Sequence, residues 1–179
     1  MVYMNEIKKI DSELSDVLAG LDKTLETLDF ELIGDLRNEE LIKNHQYSGI
    51  YLIEIECTNS DMPFLTWFEE FKTKWEKEAY KKKWTPSIKK KRVKAHNELK
   101  RWMPIYIGKS RDISGRLLGH LNLRLDQPTT GLKLNARTNM DTENFRVSTI
   151  KVEVDNYDII LPIVERTLRD KINPLVGRQ

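Results

Sequence analysis

The sequence lacks several features that would point to particular classes of protein. It has a single cysteine, Cys57, which excludes disulfides within the chain, gives no support to a cysteine-based zinc site, and is predicted to be a small core residue. No apolar run approaches the roughly 20 residues of a membrane span, and no signal-peptide core opens the chain. We therefore expect a soluble, cytoplasmic protein without a membrane partner. The net charge is only +2, so any surface for a polyanion must be local.

The N-terminal region is predicted to be an amphipathic helix over residues 4–28. Its apolar residues follow an alternating spacing of three and four, which is typical of a helix with one apolar face. Two interpretations are open: the helix packs on its own domain, or it forms the seam of a dimer. The stripe spans fewer than four heptads, which favours the first. After it, residues 32–43 predict a turn and a short helix capped by Asn38.

Three apolar segments further along the chain predict strands: 50–55, 103–107 and 145–154. A glycine, Gly108, ends the second segment, and Ser110 or Asp112 can cap the helix that follows. A final helix is predicted over residues 158–172. This mixture of strands and helices predicts an α+β domain.

The ends of the first two predicted strands contain the most informative motif. Gly49-Ile50-Tyr51 opens one strand, and Tyr106-Ile107-Gly108 closes the other. Together these fragments resemble the GIY-YIG nuclease family. Arg116 lies ten residues after Tyr106, where the family places an arginine, and His120 follows one helical turn later, as in many members. On this resemblance Glu165, in the last predicted helix, corresponds to the family's glutamate.

The resemblance implies a chemistry for each of these residues. Glu165 would bind a divalent cation, Mg²⁺ or another such as Mn²⁺, with water and phosphate oxygens completing its shell. Arg116 would hold the phosphate, and Tyr51 and Tyr106 would align or deprotonate the attacking water. His120 would act as the general base or activate Tyr51. Lys109, which directly follows the second motif, is a further candidate for contact with phosphate.

The sequence departs from the family pattern in two places. Between Tyr51 and Tyr106 lie 54 residues, where most members have little more than a hairpin turn. Restriction-type members do contain insertions, so the spacing favours that branch. Many members also end in Pro-x-x-Asn, whereas Gly177 occupies the matching position here. Asn173, which precedes the proline, is therefore only a candidate for supplying that amide.

The insertion, residues 58–102, is predicted to be helical and strongly basic. A long helix is expected over residues 61–84, followed by a second that starts at Thr85-Pro86. Ten basic residues lie between Lys81 and Arg101, opposed only by Glu98. Alone, such a run is usually a solvated helix face. Its place between the two motif strands favours a surface for the phosphate backbone, and the central candidates are Lys89, Lys90, Lys91, Arg92 and Lys94.

These observations and the resemblance together give one expectation. A helical extension, 1–46, precedes a nuclease domain, 47–179, built on a small, mainly antiparallel three-stranded sheet flanked by helices. The implied activity is Mg²⁺-dependent endonucleolytic cleavage of DNA, with double-stranded DNA favoured and restriction or phage defence as the role. Two alternatives stay open, a binding module of the same fold without cleavage and an RNase. A homodimer through the N-terminal helix or the insertion is also open.

Overall fold

The computed structural model describes residues 2–59 and 61–177. The ends of the predicted segments 1–46 and 47–179, and position 60 of the insertion, lie outside this part. A four-stranded antiparallel sheet has helices on both faces, so the expected α+β class is confirmed. In chain order the elements are α1 (Val2–Glu26), β1 (Glu31–Asp35), α2 (Glu39–Lys43), β2 (Gly49–Glu56), α3 (Phe64–Trp75), β3 (Ser87–Ile88), α4 (Lys90–Val93), β4 (Trp102–Ser110), α5 (Ile113–Asn122), β5 (Phe145–Lys151), α6 (Tyr157–Ile172) and β6 (Val176–Gly177), with two 3₁₀ turns before β5.

The strand order in the main sheet is β1-β5-β2-β4, with every pairing antiparallel. The two motif strands, β2 and β4, are neighbours, as predicted. The expectation of three strands was wrong, because residues 31–35 form a strand where a turn had been expected. This strand pairs with β5, and Glu31 lies opposite Thr149. The short helix α2 then begins as predicted, with the Asn38 side chain accepting a hydrogen bond from Leu41 N.

The sheet is covered on both faces, which explains why β2 is an almost continuous apolar run. Successive side chains of a strand point to opposite faces. Ile50 and Leu52 pack against α1 and α6, whereas Tyr51, Ile53 and Ile55 pack against α3 and α5. The edge strand β4 is therefore reached by helices from both sides of the sheet.

Helix α1 joins the body of the protein only through its last turns, where Leu25 is buried beside the apolar face of α6. The stripe before it is exposed, with Ile7, Ile10 and Val17 each about 60% exposed. The interpretation that the helix packs on its own domain therefore holds for its last turns and not for the exposed stripe before them. A dimer through this helix stays a prediction. No helix in the described residues is both long and apolar enough to cross a membrane.

The insertion is less helical than predicted. Its first helix, α3, ends at Trp75, because the following residues lack an apolar face and Arg137 donates hydrogen bonds to the carbonyls of Trp75 and Tyr80. A second helix does not start at Thr85-Pro86. Residues 87–88 instead pair as β3 with β6, at the end of the described chain, and only one helical turn, α4, follows.

Candidate active site

The two motif tyrosines meet because of the register between β2 and β4. Tyr51 lies opposite Gly108, so Tyr106, two residues earlier on β4, is its diagonal neighbour on the same face. Their rings stack with centroids 6.2 Å apart and an interplanar angle of 22°. Both rings are nearly fully buried, and one end of each lines a cavity along β4.

The motif glycines are positions where the structure has no room for a side chain. A Cβ at Gly49 would overlap the carbonyl oxygen of Ile150, which belongs to the backbone of β5. A Cβ at Gly108 would overlap the hydroxyl oxygen of Tyr51 and lie 3.0 Å from a ring carbon of Tyr106. Gly49 therefore allows the strands to pair closely, and Gly108 makes the space that the two tyrosines fill.

Helix α5 brings two further predicted residues to Tyr51. It begins directly after β4, and its predicted cap Asp112 accepts a hydrogen bond from Gly115 N at 3.1 Å. Arg116 and His120 are one turn apart on the face of α5 toward the sheet. Arg116 Nε donates to Tyr51 Oη at 3.2 Å, and His120 Nε2 lies 2.8 Å from the same oxygen.

The hydrogen bonds of His120 fix its tautomer. Leu132 N donates to His120 Nδ1 at 3.1 Å, so Nδ1 has no proton and Nε2 carries it. His120 Nε2 therefore donates to Tyr51 Oη, which also accepts from Arg116. With both lone pairs used, the Tyr51 hydroxyl proton is directed to neither of these two residues. The imidazole is completely buried and packs against the rings of Tyr51 and Tyr106, which both line the cavity.

The ionisation of the site follows from burial and from these contacts. Burial, helped by the neighbouring Tyr106, raises the pKa of Tyr51 above its ordinary value, while Arg116 opposes the shift. Burial lowers the pKa of Arg116. The oxygens of Tyr51 and Tyr106 raise it, and the net shift is upward. The resting pair is therefore a neutral tyrosine beside a guanidinium ion.

The cavity, of about 260 Å³, lies at the edge strand, where residues of α5 and α6 both reach β4. Glu165, on α6, is the one carboxylate that lines it among the residues the structure describes. Glu165 Oε2 lies 3.3 Å from Lys109 Nζ, and Oε1 lies 3.9 Å from Arg169 Nη1. Arg92 and Arg116 complete a ring of four cations around this carboxylate.

The donor set of this cavity fits a cation that is bound through one carboxylate. Within residues 2–59 and 61–177 no group of three or more His, Cys, Asp or Glu side chains is placed to hold a metal ion. Mg²⁺ commonly binds one or two carboxylates and completes its shell with water and substrate phosphates. Glu165 could hold Mg²⁺ in this way, after giving up part of its pairing with Lys109 and Arg169.

The remaining predicted residues divide between the cavity and its surroundings. Lys109 and Arg92 line it, whereas Lys89, Lys90 and Lys91 line an adjoining surface pocket that shares Arg92. Lys94 is exposed at the end of α4 and lines neither.

Asn173 does not line the cavity. It adopts a left-handed conformation at the end of α6, where its amide donates to the carbonyl of Asp170. It lines the adjoining pocket that shares Arg92, and its assignment as the amide of the family pattern stays a prediction.

Comparison with known proteins does not assign this chain to a family. No protein-family model, no curated protein and no solved structure matches the chain. The likeness to GIY-YIG nucleases therefore rests on the residues of this chain and on their arrangement.

Sequence reasoning missed the cation Arg169. It lies one turn after Glu165 on α6 and lines the cavity, and this helical spacing could have identified it. Gly177 lines the same cavity through the pairing of β6 with β3. It occupies the position at which the family pattern places an asparagine.

Proposed function

We propose that this protein hydrolyses phosphodiester bonds in double-stranded DNA with the help of a divalent cation. The observation that supports this most strongly is the convergence of Tyr51, Tyr106, Arg116 and Glu165 on one cavity. These residues are separated by more than one hundred positions and come from four different elements. Few other chemistries need two buried tyrosines, a hydrogen-bonded arginine and a single carboxylate ringed by cations.

Each side chain has a role that its contacts support. Arg116 is oriented by Tyr51 and neutralises a non-bridging phosphate oxygen. Tyr51, whose hydroxyl proton is not used by His120 or Arg116, aligns the attacking water, and Lys109 contacts the phosphate from β4. Glu165 holds the cation. When bound, that cation supplies charge stabilisation on the phosphate and on the leaving oxygen.

The test compares the wild type with Glu165→Gln on supercoiled plasmid, in Mg²⁺ and in EDTA. Glu165→Gln should reduce the cleavage rate by at least about 10²-fold, because it removes the one carboxylate ligand, while leaving DNA binding intact. Glu69→Gln, which alters an exposed ion pair with Lys72 on α3, is the matched control and should cut normally. Cleavage by Glu165→Gln at the wild-type rate would show that the site is wrongly assigned.

A second candidate, a module that binds nucleic acid without cutting it, is favoured by one observation. Both oxygens of Glu165 face cations of the protein, which compete with a metal. The same plasmid assay separates the two, because this candidate predicts gel shifts without cleavage by the wild type in Mg²⁺ or Mn²⁺. Duplex and single-stranded RNA in parallel reactions test the RNase alternative. Restriction or phage defence is our proposal for the biological role, and it predicts that expressing the protein lowers phage plating efficiency.

A further inference from the structure

Two arginines that line the cavity, Arg92 and Arg169, have no role in the chemistry proposed at Glu165. Arg92 enters from α4, in the insertion, and Arg169 enters from α6. Arg92 is partly buried, and burial together with the charge of Arg169 lowers its pKa. Two guanidinium groups held near each other in a partly buried site repel, unless an anion joins them.

Gly177 gives Arg92 its position in the cavity. A Cβ at residue 177 would lie 3.0 Å from Arg92 Nη1 and 3.5 Å from the side chain of Lys89. Because glycine has no side chain, the guanidinium of Arg92 packs directly against the backbone of β6. The backbone pairing of β3 with β6 holds α4 at this distance.

Arg169 has a hydrogen-bond donor that the described residues leave unused. Its Nε is buried and has no hydrogen-bond partner among them, and the nearest carboxylate oxygen, Asp170 Oδ1, is 3.8 Å away. Its Nη1 lies 3.9 Å from Glu165, which is too long for a hydrogen bond. The side chain of Arg169 as a whole is 30% exposed and lines the cavity, so its guanidinium group can bind an acceptor there.

Arg92 also connects the cavity to the basic surface of the insertion. It lines both the catalytic cavity and the neighbouring pocket of about 610 Å³, whose wall includes Lys89, Lys90 and Lys91. A polyanion that occupies the cavity and continues along this pocket must therefore pass Arg92.

We propose that Arg92 and Arg169 form a second phosphate subsite, which binds the phosphate next to the one that is cleaved on the same strand. This inference rests on the proposed nuclease function and adds to it a fixed direction for the strand across the site. The guanidinium fork matches the oxygens of a phosphate, which a single lysine does not. The subsite sets the register of the strand, so that the scissile phosphate meets Arg116 and Glu165.

The test is a chemical double-mutant cycle on a duplex that contains the mapped cleavage site. Each phosphate that flanks the scissile one is replaced in turn by a neutral methylphosphonate, and affinity is measured in Ca²⁺. For the wild type, one flanking position should lose affinity on the order of tenfold. The protein with both Arg92→Gln and Arg169→Gln should bind the natural duplex about tenfold more weakly. In this variant the same methylphosphonate should cause no further loss of affinity.

Two controls keep the outcomes distinct. Arg124→Gln removes one positive charge from an exposed arginine paired with Asp126, so its methylphosphonate profile should match that of the wild type. The pair Arg92→Lys and Arg169→Lys keeps the charge but loses the fork, so it should retain the fold and recover only part of the affinity. If the methylphosphonate and the double substitution reduce affinity independently, so that their factors multiply, the subsite is overturned. The proposed cleavage activity would not be affected by that result. A wild type that neither binds nor cuts nucleic acid would overturn the proposed function as well.

Discussion

His120 Nε2 donates a hydrogen bond to Tyr51 Oη over 2.8 Å, from a position with no access to the cavity. The opposite ring nitrogen accepts from the backbone of Leu132, so the direction of this bond is fixed. In the proposed reaction His120 would therefore act through Tyr51, by orienting its hydroxyl group, and would not itself take a proton from a bound water.

This relationship predicts that the effects of changing the two residues are not additive. Tyr51→Phe should slow cleavage by about 10²-fold, and His120→Ala by a smaller factor. In the Tyr51→Phe background, His120→Ala should add almost nothing, because the hydroxyl group that it orients is gone. Single-turnover rates of the four proteins test this, with thermal unfolding as the check on folding. Multiplicative losses would mean that His120 has a role of its own.

The pH dependence of cleavage should distinguish alignment from general-base catalysis by Tyr51. Burial raises the pKa of Tyr51, so the hydroxyl keeps its proton beyond the usual value of 10.0, and the neutral form is fully present at lower pH. The pH–rate profiles of the wild type and Tyr51→Phe should then run parallel between about pH 6 and 9, differing only in height. If Tyr51 were the base, the rising limb of the wild type would be missing in the variant.

Gly108→Ala should disable the site although it adds one methyl group. The new Cβ would overlap the hydroxyl of Tyr51, so this ring would have to move and break its hydrogen bonds with Arg116 and His120. We expect cleavage to fall at least tenfold and the free energy of unfolding to fall by about 1–3 kcal/mol. Gly119→Ala, on α5, is the matched control, because its nearest neighbour would be 3.7 Å away. Equal activities of the two variants would contradict the packing argument.

The lysines beside the cavity should contribute affinity with little sequence preference. Changing Lys89, Lys90 and Lys91 to Gln should reduce the salt slope of DNA binding by roughly 2.7, at about 0.9 for each phosphate that the variant no longer neutralises. Specificity between sites should change much less. Lys81, Lys82 and Lys83 offer a control with the same change of charge, because they lie beside a different pocket. If both triple variants shift the slope equally, the basic block acts only through its net charge.

The parts of the fold that the sequence predicted are those with strong local patterns. The strand β2 is an apolar run that begins with the motif at Gly49, β4 is one that contains the motif ending at Gly108, and α5 begins at a recognisable cap, Asp112. The strand β1 was missed because it is short and because Gly34, with a φ of 137°, interrupts its alternation. Its identity as a strand depends on pairing with β5, more than one hundred residues later.

The same division applies to the candidate site. Tyr51, Tyr106, Arg116 and Glu165 could be named from the resemblance of the sequence motifs to those of the family. The position of Arg92 could not, because it depends on the pairing of two-residue strands that are far apart in the sequence, β3 and β6. Such short pairings leave no periodic pattern, and the packing of the whole chain determines them.

The insertion between the motif strands begins and ends at adjacent positions of the sheet. Glu56 and Trp102 are opposite each other in the register of β2 and β4, so the 45 residues between them begin and end at adjacent points. The segment is nevertheless part of the fold, because α3 covers one face of the sheet and β3 pairs with β6. Arg92 also lies within it, so a chimera that receives a new insertion would lose core side chains and a side chain that lines the cavity. The packing of the sheet and the lining of the cavity therefore depend on the same segment of the chain.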